Sequence, residues 1–409
     1  MQYRNIFLAS MAVLALTATS CSTDDAPAEL AVPTAYSFNR NATTSVDFSG
    51  QKSRLLMLDA MGEYIKVNAT IGVNDTKLVA MYSNTGSPFS ASDLNASGKQ
   101  LFDKTASSTD YFSLNLGGGS SVEQQAVRNL FSATFVDAKN ASQGATAAAG
   151  VAGLYLDVST SGTSKRLFAA NGLEPQQVLL KGMMGACFMD QIVNNYLSVN
   201  KLDAVTTKAD NTNKVLVSGK NYTEMEHNWD EAYGYIYGAD DLTTTPSTPV
   251  YKFWSSYINQ VNADVDFNTV SADINLAFRK GRAAITANDY ATRDAQINII
   301  KTKIALIPAV RAVFYLQEGK GKLTVDGGAK AFHALSEAYG FIMSLRYTNK
   351  PGTNNPYFSK SEVDTMLASL TSGTNGLWDI NTLPAKCDAI SIQIATKFGF
   401  TVTQAATVN

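Results

Sequence analysis

The chain predicts a mostly α-helical fold: a two-lobed helical bundle with an internal duplication and a short extended N-terminal segment. Three observations predict it. Apolar residues recur at three- and four-residue intervals through most of the second half, the spacing of one helix face. No run of strand-and-turn punctuation competes with those stretches. The only two histidines of the 409 residues, His227 and His333, sit in one local motif, His-x-x-x-Glu-Ala-Tyr-Gly-aromatic, repeated at an offset of 106 residues.

Met1 to Asn5 with one Arg, the apolar run Ile6–Leu16 and small residues up to Cys21 have the three parts of a secretory leader. The apolar run is too short to span a bilayer as a helix. Residues 1–20 are therefore expected to be a signal peptide. The small residues before Cys21 resemble a lipobox, with Ala18 where Leu is usual, so Cys21 is the expected lipidation site. Several acyl chains there would anchor the protein stably to the outer membrane, with 21–33 as a tether. Asp24 and Asp25 resemble a surface-export signal of Bacteroidota-type lipoproteins; the alternative is a solvated spacer.

An N-terminal lobe is expected over 34–239 and a C-terminal lobe over 250–409, joined at Asp240–Pro249, where prolines and small polar residues make a linker. The first lobe opens on an extended stretch, Val32–Ser49, followed by a helix over Arg54–Ile65. Loops with short helices fill 75–125, and Pro175 starts a long apolar helix reaching about residue 200. Thr206–Asn213 reads as a polar loop and Tyr222–Tyr237 as a helix. Beyond the linker, helices are expected over 265–286, 289–317, 328–347, 360–370 and 383–398, with a kink or break at Pro308.

A formal net charge of −2 without a basic block lacks the footprint of nucleic-acid binding. Cys187 and Cys387 lie in apolar helical patterns and are expected as buried free thiols. The cluster Ala277–Ile285 reads as a solvated basic helix face interrupted by Gly281.

The motif carries the chemistry. Residues i, i+4 and i+7 share one helix face, so each copy presents a stripe of His, Glu and Gly. Apolar neighbours such as Phe332, Leu335, Ala338 and Ile342 bury the second helix nearly all round, and a buried carboxylate must find a partner. Gly234 and Gly340 would allow another backbone to approach. Two readings stay open. In one, His227, Glu231, His333 and Glu337, with Asp230 beside the first copy, are ligands for iron or zinc, and Tyr233, Tyr339 and Trp229 contact the ligand. In the other, each Glu closes a hydrogen-bonded seam between duplicated helices. His-Glu-x-x-His, Gly-x-Ser-x-Gly and Walker-type signatures are missing, and Gly117-Gly-Gly lacks a following Lys. Trp229, Trp254 and Trp378 serve either as sugar-stacking rings or as core.

Four stretches, Tyr36-Ser-Phe, Phe48-Ser-Gly-Gln-Lys-Ser-Arg-Leu-Leu-Met-Leu58, Leu180-Lys-Gly-Met-Met-Gly-Ala186 and Met225-Glu-His-Asn-Trp-Asp-Glu-Ala-Tyr-Gly234, resemble Bacteroidota lipoproteins grouped as domain of unknown function 4856. A more distant resemblance is to imelysin-like envelope proteins, whose duplicated helical bundles bear Gly-x-His-x-x-Glu. Here Met225 and Asp230 replace the Gly and the Glu, and Ala331 and Ser336 do so in the second copy. That resemblance implies a two-lobed helical architecture and a part in iron uptake. The expected function is binding of a metal or metal-containing ligand by a non-enzymatic lipoprotein. The alternative is capture of a glycan or peptide beside an outer-membrane transporter, with the His/Glu stripe purely structural. A metal-dependent hydrolase is the third class.

Overall fold

The computed structural model describes residues 30–115, 120–240 and 249–407. The leader with Cys21, Gly117–Gly119 and most of the Asp240–Pro249 linker lie outside the described residues. Helices carry the fold, which is mostly α. The N-terminal strap makes one tight hairpin, β1 (Asn39–Arg40) against β2 (Thr43–Thr44), with Asn41 and Ala42 at positive φ. α1 (Ser49–Val67) follows, burying Leu55, Leu58, Met61 and Ile65 at helical spacing. α2 (Asp75–Ser83) is capped by the Asn74 side chain, and α3 (Ser92–Ala96) is a single turn. α4 (Ser120–Ala141) leads to an antiparallel hairpin, β3 (Gly153–Ser159) and β4 (Gly162–Phe168).

α5 (Pro175–Met183) begins with Pro at its first turn and widens into π-type turns over Met184–Met189 and Ile192–Tyr196, all of them buried. The short α6 (Val199–Leu202) and α7 (Val205–Thr212) precede α8 (Glu224–Tyr237), the helix of the first motif. The second half runs through α9 (Trp254–Ala263), α10 (Val270–Thr286), α11 (Tyr290–Gly321), α12 (Ala329–Ser344), α13 (Lys360–Leu370), α14 (Leu383–Phe398) and α15 (Val402–Ala406). α12 carries the second motif.

Several expectations need correction. Residues 205–212 are helix α7, not a loop: Asn211 donates to Ile285 O at 2.9 Å and accepts from Thr223 at 2.7 Å, so tertiary bonds hold a polar helix. The hairpin at 153–168 was hidden by an inverted pattern, because Leu156 and Val158 point outward and Asp157 inward. α11 passes through Pro308 without a break; both of its packed faces hold it in place. The expected boundary at 240–249 does not divide the core. One apolar cluster includes residues of both halves, α12 lies on α5 as well as α11, and α8 lies on α1 and α10. Cys187 and Cys387 are buried and unpaired. Among the described residues no helix is long and apolar enough to cross a membrane.

Candidate functional site

The first motif starts from a capping box. Thr223 accepts from the Glu226 amide while the Glu226 carboxylate accepts from the Thr223 amide at 2.9 Å, which sets the start of α8. The same carboxylate accepts from Arg40 at 2.8 Å and from Arg282 at 3.0 Å. One turn on, Asp230 accepts from Arg282 Nε at 3.0 Å and from the Tyr36 hydroxyl at 2.7 Å. Arg282, Asp230 and Glu226 are fully buried in effect, at 0 %, 0 % and 1 % exposure. Burial pushes the Asp230 carboxyl up to about 6 against the pull of Arg282, and its Oδ2 has no hydrogen-bond partner among the described residues. Burial also opposes Glu226 ionisation, but Arg282 and Arg40 outweigh it and hold the group below its ordinary value.

His227 makes no hydrogen bond to this cluster. Its ring stacks on Tyr222 with centroids 4.4 Å apart, its buried Nδ1 has no partner among the described residues, and Nε2 lies 3.9 Å from Glu231. Glu231 accepts from Gln51 Nε2 at 2.7 Å.

The second motif lies in a chain of alternating charge that joins the β3–β4 hairpin to α5 and α12. Lys330 pairs with Asp157, and Asp157 accepts from Arg166 Nε at 2.6 Å. Arg166 Nη1 reaches His333 Nδ1 at 2.6 Å and lies 3.7 Å from Glu174. Glu174 Oε2 is 2.7 Å from the same Nδ1, so a single tautomer can serve only one of the two neighbours. His333 Nε2 is 4.0 Å from Glu337, whose other oxygen is 3.0 Å from Lys181 Nζ and within 3.4 Å of the Tyr257 hydroxyl. Burial opposes ionisation of Glu337, yet Lys181 and His333 prevail and its carboxyl stays below the usual range.

The two motif helices are packed alike. Gly234 lies against Phe48 and Gln51 of the α1 entry, and Gln51 is the donor to Glu231. Gly340 lies against Lys181 and Gly182 of α5, and Lys181 is the cation on Glu337. Two residues after each His, Trp229 fills the space above Gly281 on α10 and Leu335 the space above Gly319 on α11. In both copies the small residue admits a neighbouring helix, and that helix supplies the polar group that satisfies the motif Glu.

Asp230 and Glu231 therefore point to different partners, and among the described residues no three His, Cys, Asp or Glu side chains converge as a metal site. Iron or zinc fits the second copy poorly, since Glu337 and Glu174 already face Lys181 and Arg166. Trp229 and Tyr233 are buried: Trp229 donates to Phe278 O at 2.9 Å and Tyr233 stacks on Tyr36 at 3.6 Å. Neither offers a face to a ligand; Tyr339 is half-buried. Arg282, read from the sequence as part of a solvated face, is the buried counter-ion of the first copy. Arg166, Glu174 and Lys181 were also missed. Lys181 left one signal, a charge that shares only with Asp190 the apolar helix that Pro175 opens.

Beside the second network a cleft of about 710 Å³ opens between α1, α5 and the hairpin. Glu174 and Arg166 reach its wall, with Asp59, Glu63, Lys66 and Lys165 at the rim. Gln177, only 7 % exposed, lines it with an Oε1 that has no partner among the described residues.

A mostly helical chain with two like-packed motif helices and a polar cleft beside the second is the class of protein so defined. Over residues 33–401 it matches the family described as Domain of unknown function (DUF4856), and it belongs to that family. No curated protein and no solved structure matches it.

Proposed function

We propose that the chain is an outer-membrane lipoprotein, anchored through Cys21 on the cell surface, that captures a short peptide in the cleft beside α5 for an outer-membrane transporter. The observation that carries this reading is the lining of the cleft. Charges of both signs flank a buried amide oxygen left unpaired in Gln177, which suits a ligand bearing N–H donors and both termini. Phe253 is the one aromatic ring on the described wall, too little for the stacking platform a glycan needs. The His/Glu stripes then serve the fold. A Bacteroidota origin and an imelysin-like duplicated plan belong to the same reading, supported by the matched surroundings of α8 and α12.

Calorimetric titration with tri- to pentapeptides and with neutral oligosaccharides tests it. Peptides should bind, and Gln177→Leu or Lys165→Glu should weaken them at least tenfold; binding of oligosaccharides alone would overturn the peptide assignment. Loss of palmitate labelling in Cys21→Ala tests the anchor.

Capture of iron or zinc is a second reading that one observation favours. The unpartnered Nδ1 of His227 and the neutral donor on Glu231 make that pair the one in the two motifs a cation could join. Metal-dependent melting that disappears in His227→Ala would support it, and equal melts in chelator and in metal would remove it.

A further inference from the structure

The middle of α11 buries a lysine that neither the fold nor the cleft accounts for. Lys301 is 5 % exposed, and among the described residues its side chain makes no ion pair or hydrogen bond. It lines a separate cavity of about 400 Å³ together with Asn200, Asn298, Gly352 and Thr353. Two acids face this region. Asp110 attracts the ammonium at longer range but is engaged by Ser198 at 2.7 Å and Asn200 at 3.2 Å. Asp294, on the cavity wall, is paired with Arg293 at 2.7 Å. The stem of Lys301 is buried and its ammonium, largely removed from water, has no counter-ion in contact, which is costly; most buried charges are paired.

We propose that this cavity binds a small oxyanion, a carboxylate or phosphate group, with Lys301 as its counter-ion and the Asn200 and Asn298 side chains beside it. Burial lowers the Lys301 pKa to about 8, with Asp110 opposing, so the ammonium remains charged at neutral pH. The cavity is lined by none of the residues of the α1–α5 cleft, so the two sites succeed or fail separately.

Calorimetric titration of the full chain with sodium phosphate and with sodium acetate, in an oxyanion-free buffer at constant ionic strength, tests the site. Wild type should show saturable binding to at least one of the two, and which one identifies the group. Lys301→Met should bind at least tenfold more weakly while melting no lower than wild type without anion. Asn298→Asp, a change at an exposed position one turn from Lys301, should also weaken binding at least tenfold by supplying the missing carboxylate in place. No saturable binding by wild type, or binding by Lys301→Met equal to wild type, would overturn the proposal.

Discussion

Replacing Arg282 with Met tests the buried ionic cluster directly. Met fills much of the same space but leaves the Asp230 carboxylate with the Tyr36 hydroxyl alone, and Glu226 with Arg40, the Thr223 amide and the Thr286 hydroxyl at 3.4 Å. Removing one partner from a buried ion pair costs on the order of 3–5 kcal/mol, because the remaining charge is left in a poorly solvating interior. The loss should depend on pH. In wild type the Asp230 pKa is raised by burial to about 6. A raised acid binds its proton more tightly folded than unfolded, so its contribution is fully present below the ordinary value and is lost as pH rises towards 6. Without Arg282 the folded pKa rises further, and the decline continues above pH 6. Urea unfolding at pH 5 and pH 8 should show a larger deficit of Arg282→Met relative to wild type at pH 8. A deficit below about 1 kcal/mol, or one equal at the two pH values, would refute the view that Arg282 compensates a buried carboxylate.

Gly340→Ala places a methyl against Lys181 and within 3.0 Å of the Gly182 nitrogen, and Gly281→Ala drives one into the Trp229 ring. Each should cost about 1–3 kcal/mol in thermal or urea melts, whereas Gly321→Ala, with open space around it, should be near neutral. Asp190 is fully buried between the π-type turns, and burial raises it to about 7 against the donors Ser108 and Asn194. Wild type should therefore lose stability between about pH 4 and pH 7, and Asp190→Asn should flatten that part of the profile; an unchanged profile would remove Asp190 as its source.

The fold was legible wherever one helix face is apolar and the other wet. Residues 360–370 and 383–398 match α13 and α14, and the repeated motif marked both α8 and α12. Reading failed where tertiary contacts replace periodicity. α7 has no apolar stripe and stands on the hydrogen bonds of Asn211, and β3 turns its charged Asp157 inward. The expected lobe boundary failed for a related reason. A linker shows itself by composition, whereas the packing of α5 on α12, across more than a hundred intervening residues, leaves no local trace.

The site was legible in its motif and illegible in its partners. Spacing along one helix says that His, Glu and Gly share a face, but not which chain segment covers that face. The covering segments decide the chemistry. Gln51 puts a neutral amide on Glu231 and Lys181 puts a full charge on Glu337, so identical stripes acquire different electrostatics. One position earlier the copies differ in sequence as well, and each residue matches its cover. Asp230 meets Arg282 in a buried ion pair, while Ser336 accepts from the Glu174 amide at 2.8 Å at the start of α5. A cation ligand set would need carboxylates left open to a third party, and in the second copy protein cations hold them. What repeats between α8 and α12 is therefore a way of admitting a neighbouring helix beside a glycine, whereas the two groups that point to ligands, Gln177 in the cleft and Lys301 in α11, lie outside the repeat.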